Sequence, residues 1–314
     1  MLKYTIKRLL QSLLTVLIIV TTVFLLMRLM PVEGYFGEEY QKLSEEMRLA
    51  KLDQLGLLDP PLVQLVRFYG QLFQGNLGTS TRIQVGVPVT TIMSQKIPLS
   101  MGFGIASTIV SIILGIILGV IQATNKGKFA DSLGTGYIIF VNSVPPLVYY
   151  FFIQIFVSNW FNLPMRFDKM NIMSCLLPLV CMSLGGIASY ALWIRRYMVD
   201  ELNKDYIKLA RAKGLPYKTI MYKHVLRNAF VPMAQHLPVS FLLTIGGSLL
   251  VEEMFAIPGM GGLLVQAVQK QDNNLVQILI LLYSSLGIIG VFLGDILMMI
   301  VDPRITLDTK GGSR

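Results

Sequence analysis

Asp205-Tyr206-Ile207-Lys208-Leu209-Ala210-Arg211-Ala212-Lys213-Gly214-Leu215-Pro216 lies in a basic segment between long apolar runs. Two alanines fall on a short helical pattern that a glycine and then a proline bring to a stop. The surface left is small enough for another subunit to pack on closely, so the stretch describes a docking element on the charged side of a membrane protein. Gly214 suits the left-handed residue that ends a helix, and Pro216 cannot continue it. A second helical pattern runs through Ile220, Met221, Val225 and Leu226 toward Pro232, where the next apolar run opens. The segment Arg195–Phe230 therefore makes a helix, a turn and a helix outside the bilayer. Its nine basic and three acidic residues leave a net charge of +6, suited to anionic lipid heads or to an acidic groove on a partner. A solvated basic loop accounts for that charge equally well. Such a loop has no need of Ala210, Ala212 and Gly214 at close spacing.

Composition points the same way. Hydrophobic residues make up 54% of the 314 and charged residues 14%, against about 25% charged in soluble domains. The chain reads as an all-α integral membrane protein. Its formal charge of +9 is spread over loops with no aromatic-interleaved stripe, which excludes a nucleic-acid interface.

Six runs reach the roughly 20 apolar residues that a crossing helix needs: Leu9–Met27, Leu99–Ala123, Leu133–Val157, Ile172–Ile194, Val231–Val251 and Val276–Val301. The first follows Lys3, Lys7 and Arg8 but ends at Met27-Arg28 without a small-residue cleavage pattern, so it is expected to be a retained anchor. With the N-terminus inside, the inner segments carry 17 Lys and Arg and the outer ones 9, which predicts both ends cytoplasmic. The division expected is residues 1–30 for the N-terminus and first helix, 31–96 for an external arm, 97–301 for a five-helix core holding the segment 195–230, and 302–314 for a tail. In the arm, Leu62, Leu65, Val66, Tyr69 and Leu72 fall at helical spacing between turn signals at Asp59-Pro60-Pro61 and Gly75-Asn76. A small external cap is the economical reading, and an amphipathic helix resting on the membrane is its alternative.

Chemistry-bearing patterns are sparse. Cys175 and Cys181 lie within one span and read as small apolar packing residues. His224 and His236 form no metal-binding pattern, and a glycine-rich phosphate loop is absent, so neither a metal nor ATP is expected on this chain. No catalytic residue is assigned. Polar or helix-breaking groups inside spans mark a path or a helix contact. Asn142 and Ser143 precede Pro145-Pro146, which predicts a kinked, path-lining helix, and Gly246, Gly247 and Ser248 read as a close-packing gate or, equally, as ordinary helix packing through small residues. Glu252 is also a gate candidate, although Glu252 and Glu253 both fall where the fifth span reaches the interface and read equally as solvated end residues. Asp295 is the one clear interior acid and is expected to pair with a partner group.

Ala210-x-x-x-Gly214 followed by Arg227-Asn228-Ala229 and Pro232 resembles the EAA loop of bacterial ABC-importer permeases. Gly247-Ser248-Leu249-Leu250-Val251-Glu252, Phe255, Pro258-Gly259-x-Gly261 and Gln271-Asp272 are similar to the signature of the oligopeptide, dipeptide and nickel permeases. Lys7-Arg8-Leu9, Arg28-Leu29-Met30-Pro31, Leu55-Gly56-Leu57, Pro61-Leu62, Gly75-Asn76-Leu77-Gly78 and Pro88-Val89 extend the likeness over essentially the whole chain, closest to the first permease subunit with its long arm. Two departures stand out. Lys208-Leu209-Ala210 replaces Glu-Ala-Ala, and Pro31-Val32-Glu33-Gly34 replaces a proline followed by Gly-Asp-Pro.

The resemblance implies a type I ABC importer permease fold with six transmembrane helices and an external helical arm, in the bacterial plasma membrane. It implies pairing with a second, related permease and docking of Asp205, Tyr206, Leu209, Ala210, Arg211, Ala212, Lys213 and Gly214 on ATP-binding subunits. ATP and magnesium would sit on those partners, and an external binding protein would deliver oligopeptides or dipeptides. Nickel or a metal chelate is the alternative cargo. A proton-coupled secondary transporter, the rival of a different class, would need a ladder of Asp, Glu and His across the spans. An intramembrane hydrolase would need a Ser–His or paired-Asp constellation, and His236 has no evident partner.

Overall fold

The computed structural model describes residues 2–29, 36, 42–54 and 56–301. The arm entrance at Pro31–Gly34 and the tail from 302 lie outside them. Among the described residues the regular structure is helical, apart from one isolated bridge between Thr79 and Pro88.

Helix α1 (Leu2–Met27) leaves Leu9, Leu10, Leu13 and Leu14 exposed, as a helix bathed in lipid does. Two helices follow in the arm, α2 (Glu45–Gln54) and α3 (Pro61–Phe73). Pro60 and Pro61 open α3 because a missing N–H does no harm in a first helical turn. Helix α3 lies against α1. Tyr69 shares a hydrogen bond with Thr21 at 2.8 Å and donates to the Leu17 carbonyl, while Phe68 packs on Phe24 at 5.2 Å. Leu62, Val66 and Phe73 stay 72%, 72% and 86% exposed. That apolar face beside α1 is what an amphipathic helix resting on the membrane, the alternative to an external cap, would present.

The core is built on α4 (Val89–Thr124) and α8 (Leu176–Leu202), which run side by side. A Cβ on Gly119 would meet the Ala191 carbonyl at 2.8 Å, and one on Gly186 would overlap the Ser111 hydroxyl. Small residues let these backbones approach where lipid supplies no hydrophobic drive between helices. Ser111 adds a hydrogen bond to the Ser183 carbonyl at 3.0 Å.

Between them, α5 (Phe129–Ser143) ends before Pro145, and α6 (Pro146–Phe152) restarts with Pro146 in its first turn. Through a π turn at Ile153–Val157, α6 continues into α7 (Ser158–Phe161), and the two halves are bent by 109°. The kinked helix expected at Pro146 is a broken one. Two adjacent residues without N–H remove two consecutive hydrogen bonds, more than a kink can absorb.

After α8 come α9 (Asp205–Ala212), a short α10 (Tyr217–Thr219), a π turn at Ile220–Val225, and α11 (Leu226–Ala234). The expected fifth span, Val231–Val251, shifts. Its membrane-length stretch is Leu237–Met254, made of α12 (Leu237–Leu243), a tight turn at Thr244–Gly246 and α13 (Leu249–Met254). Then α14 (Gly261–Gln269) leads into α15 (Asn273–Val301). Among the described residues five helices are long and apolar enough to span, and six if the bent pair counts as one. Asp295 on α15 is buried. It pairs with Arg8 of α1 at 3.3 Å and accepts from Gln235 at 2.8 Å, which supplies the partner group that the sequence left unnamed.

Candidate functional site

The Asp205–Pro216 segment folds as its turn chemistry requires. Helix α9 closes on Gly214 at φ +72°, with the Gly214 N–H on the Arg211 carbonyl at 2.9 Å. The helix is not an exposed knob on all sides. Ile207 and Ala210 are buried against Ile194, Met198, Ile220, Met221 and Val225 of the same chain. This corrects the role expected of Ala210: its small side chain lets α9 seat on its own bundle. Gly214 meets nothing where a Cβ would stand, so it serves the left-handed turn.

The face that points away carries Leu209, 56% exposed, with Asp205, Tyr206, Arg211, Ala212 and Lys213 around it. Tyr206 is tied down at its hydroxyl, which bonds Glu201 and accepts from the Asn228 amide at 2.9 Å. Burial and then the Glu201 carboxylate push that phenol up to about 12. Asn228 of the Arg227-Asn228-Ala229 motif thus fastens α9 to α11.

An ion pair that the sequence analysis did not single out braces the same side. Arg195 meets Asp131 through Nε at 2.6 Å and Nη2 at 2.8 Å, and the Gly127 N–H adds a bond at 3.0 Å. Planar two-point pairing fixes angle as well as distance, so the turn before α5 is held to the end of α8. Arg195 had registered only as one of the loop cations, because contact across 64 residues leaves no local signal.

At the opposite end, the gate candidates assemble around Glu252. This residue is 1% exposed, which overturns its reading as a solvated end group, whereas Glu253 is exposed. Its Oε1 accepts from Ser100 of α4 at 2.7 Å and from the Ser248 N–H at 3.2 Å. Its Oε2 accepts from the Gly261 N–H at 2.6 Å, and Ser100 in turn accepts from the Met260 N–H at 2.7 Å. The glycines shape this cage. Gly247 sits at φ +70°, and a Cβ there would overlap Glu252 Oε1. One on Gly261 would come within 2.6 Å of the Ser248 carbonyl carbon. Gly246 lies against Tyr283 instead. The Gly-Gly-Ser, Glu and Pro-Gly-x-Gly motifs are therefore one structure, a buried carboxylate wrapped by main-chain donors. Asp295 is not the only buried acid of the spans.

Asp272 repeats the device where the arm meets the core. Fully buried, it takes the Ser80 hydroxyl and the N–H groups of Thr81, Arg82 and Ile83 at 3.0–3.2 Å, and caps α15 through the Leu275 N–H at 3.3 Å. Asn274 donates to the Thr79 carbonyl at 2.8 Å. Two motif segments some 190 residues apart, Gly75–Gly78 with its following loop and Gln271-Asp272, thus touch. Burial pushes the Asp272 carboxyl up, but the Ser80 hydroxyl and the three N–H groups outweigh it and hold the group below its ordinary 3.8. A depressed folded pKa contributes stability above the unfolded value that is lost as pH falls through the folded one. The amides of Thr81–Ile83 should resist hydrogen exchange at pH 7 and lose protection only as pH falls past the ordinary 3.8 and through the lower folded value. In Asp272→Asn they should exchange freely at neutral pH, and protection equal to the parent's would remove Asp272 as the anchor.

Asn142, Ser143, Pro145 and Pro146 line a cleft of about 510 Å³ at the break between α5 and α6, with Tyr149 and Tyr150 on one wall. The Glu252 cage is a separate feature. Its residues are absent from the lining of this cleft, so the structure does not join the two groups of path candidates into one site.

A bundle of membrane-length helices, one of them broken around a cleft, with the α3 arm packed on α1 and α9 seated after α8, is the architecture of a polytopic membrane subunit. The chain belongs to the family described as binding-protein-dependent transport system inner membrane component, whose model matches residues 111–307. It is 33% identical to the dipeptide transport system permease protein DppB of Lactococcus lactis subsp. cremoris, over 98% of this chain and 100% of that one. The oligopeptide transport system permease protein OppB of Escherichia coli is 31% identical, over 97% and 99%. With the oligopeptide transport system permease protein AmiC of Streptococcus pneumoniae the identity is 38%, over 61% of this chain and 39% of that one. A solved structure described as an amino acid ABC transporter with histidines superposes with a TM-score of 0.52 at 14% identity, covering 69% of this chain and 95% of that one. That likeness establishes the type I ABC permease fold, as expected.

Proposed function

We propose that the chain is one of two related permeases of an ATP-driven bacterial importer for oligopeptides or dipeptides, with α9 as the helix that docks on an ATP-binding subunit. One observation carries the coupling role. Helix α9 is locked to its own bundle by Ile207, Ala210 and the Tyr206–Asn228 bond, yet presents Leu209 and its neighbours outward. A push on that face moves α8, α11 and the π turn as one body, which is what alternating access requires. ATP and magnesium belong to the partner subunits, and an external binding protein supplies the cargo on the arm side. The names of the full-length relatives favour peptides over nickel or a metal chelate.

Reconstituted with its partners in proteoliposomes, the protein should take up peptide only with ATP on the α9 side and binding protein on the arm side. Uptake should persist when a protonophore collapses the pH gradient. Uptake without ATP that stops with the protonophore would establish the secondary transporter instead.

The excess of Lys and Arg in the segments shared with α9 supports a topology with both termini in the cytoplasm. In a background lacking Cys175 and Cys181, Gln74→Cys in the arm should label with an impermeant maleimide on intact cells, and Lys218→Cys should not. The opposite pattern would invert the topology.

A further inference from the structure

The break between α5 and α6 has a chemical consequence beyond its shape. In an uninterrupted helix the Val141 carbonyl would accept from the N–H of residue 145 and the Asn142 carbonyl from that of residue 146. Both positions are proline and carry no N–H. The hydrogen bonds around the break stop on either side: Val144 N–H bonds the Phe140 carbonyl at 3.0 Å, and Val148 N–H bonds the Pro145 carbonyl at 3.0 Å. Val144 and Pro145 are extended, so the chain turns away before α6 starts its own ladder. Val141, Asn142 and both prolines line the 510 Å³ cleft, whose size falls within the roughly 300–1,000 Å³ of small-ligand sites. Non-helical backbone at membrane depth is tolerated where it lines a wet cavity. The negative end of a helix dipole there favours a donor or a cation.

We propose that the carbonyl oxygens of Val141 and Asn142 are the recognition element of the cleft, accepting hydrogen bonds from the backbone N–H groups of a peptide in transit. The proposal rests on the peptide-importer reading and adds to it the atoms that read the cargo. Main-chain acceptors see what every peptide carries whatever its side chains, as in strand-addition binding. Tyr149 and Tyr150, in edge-to-face contact at 4.8 Å, give the cleft an aromatic wall indifferent to sequence.

The test uses the whole complex in proteoliposomes, with binding protein saturated by either trialanine or its backbone N-methylated counterpart, saturation being measured separately. The parent should import trialanine about tenfold faster, the order expected for a lost hydrogen bond. Pro145→Ala and Pro146→Ala each restore an N–H that caps one of the two carbonyls, and the preference should shrink to about threefold. Leu147→Ala, outside the cleft lining, should keep it. Equal rates for the two peptides in the parent would overturn the proposal and leave the importer reading standing, whereas uptake of neither would overturn that reading itself. A preference undiminished in both proline variants also overturns the carbonyl assignment. Should those variants not assemble, Asn142→Cys in a Cys175→Ala, Cys181→Ala background decides. Trialanine during turnover should slow maleimide labelling and the N-methylated peptide should not, and equal labelling with both sinks the idea.

Discussion

Glu252→Ala is expected to be the most damaging single substitution in the core, although it removes a charge from the interior. A buried carboxylate is unfavourable by itself, so its loss would be harmless if nothing depended on it. Here the Ser100 hydroxyl and the N–H groups of Ser248 and Gly261 all point at it. Each donor left unpaired in a buried site costs about 1–3 kcal/mol, so the loss reaches several kcal/mol out of the roughly 5–15 that hold a domain folded. Glu252→Gln keeps one acceptor and should fall between. Gly247→Ala should resemble Glu252→Ala, because its Cβ would occupy the carboxylate's place at a left-handed φ. Cys181 reports the outcome: it is fully buried in the cluster that holds Val251 and Phe255, so its thiol reacts only when that cluster opens. Thermal unfolding followed by a maleimide fluorophore should start well below the parent's transition in Glu252→Ala. A midpoint within a degree or two of the parent's would mean the cage does not stabilise the fold.

Leu209→Asp should have the largest effect on transport while leaving the subunit folded. Leu209 is an exposed apolar residue on the outer face of α9, and a charge there meets water in the free chain but a desolvated groove in a docked one. A central apolar anchor contributes about 2 kcal/mol or more to an interface, roughly thirtyfold in affinity. Co-purification of the ATP-binding subunits and peptide-driven uptake should both collapse, with the Cys181 melting curve unchanged. Ala210 cannot provide this test, since it packs inside the chain's own core and a bulky replacement would disturb α9 itself. Full assembly and uptake in Leu209→Asp would take α9 out of the interface.

The features legible in the sequence are those set by near neighbours. Span length, the α9 stop at Gly214 and Pro216, the α3 start at Pro60-Pro61 and the damage done by Pro145-Pro146 all depend on residues within a turn or two, where propensity and missing donors act directly. The sequence left Glu252 open between a gate residue and a solvated end group, because a carboxylate at the end of an apolar run has the same local context whether it is solvated or caged. The donor that decides the matter, Ser100, lies 152 residues away. Ala210 was misread for a similar reason. A small residue permits close packing, but only the placement of Ile220, Met221 and Val225 says whether the close neighbour is another subunit or the same chain.

By itself the sequence determined an all-α membrane subunit, most of its spans, the helix–turn–helix around Gly214 and, through its motifs, its family. It could do so because hydrophobic length and turn chemistry are local quantities. Tertiary structure alone decided which polar groups answer one another: Arg195 with Asp131, Arg8 and Gln235 with Asp295, the 80–83 loop with Asp272, and Ser100 with Glu252. Such pairs form between distant positions because a polar group withdrawn from water must find a partner wherever the fold brings one within about 3 Å, and sequence separation places no limit on that distance.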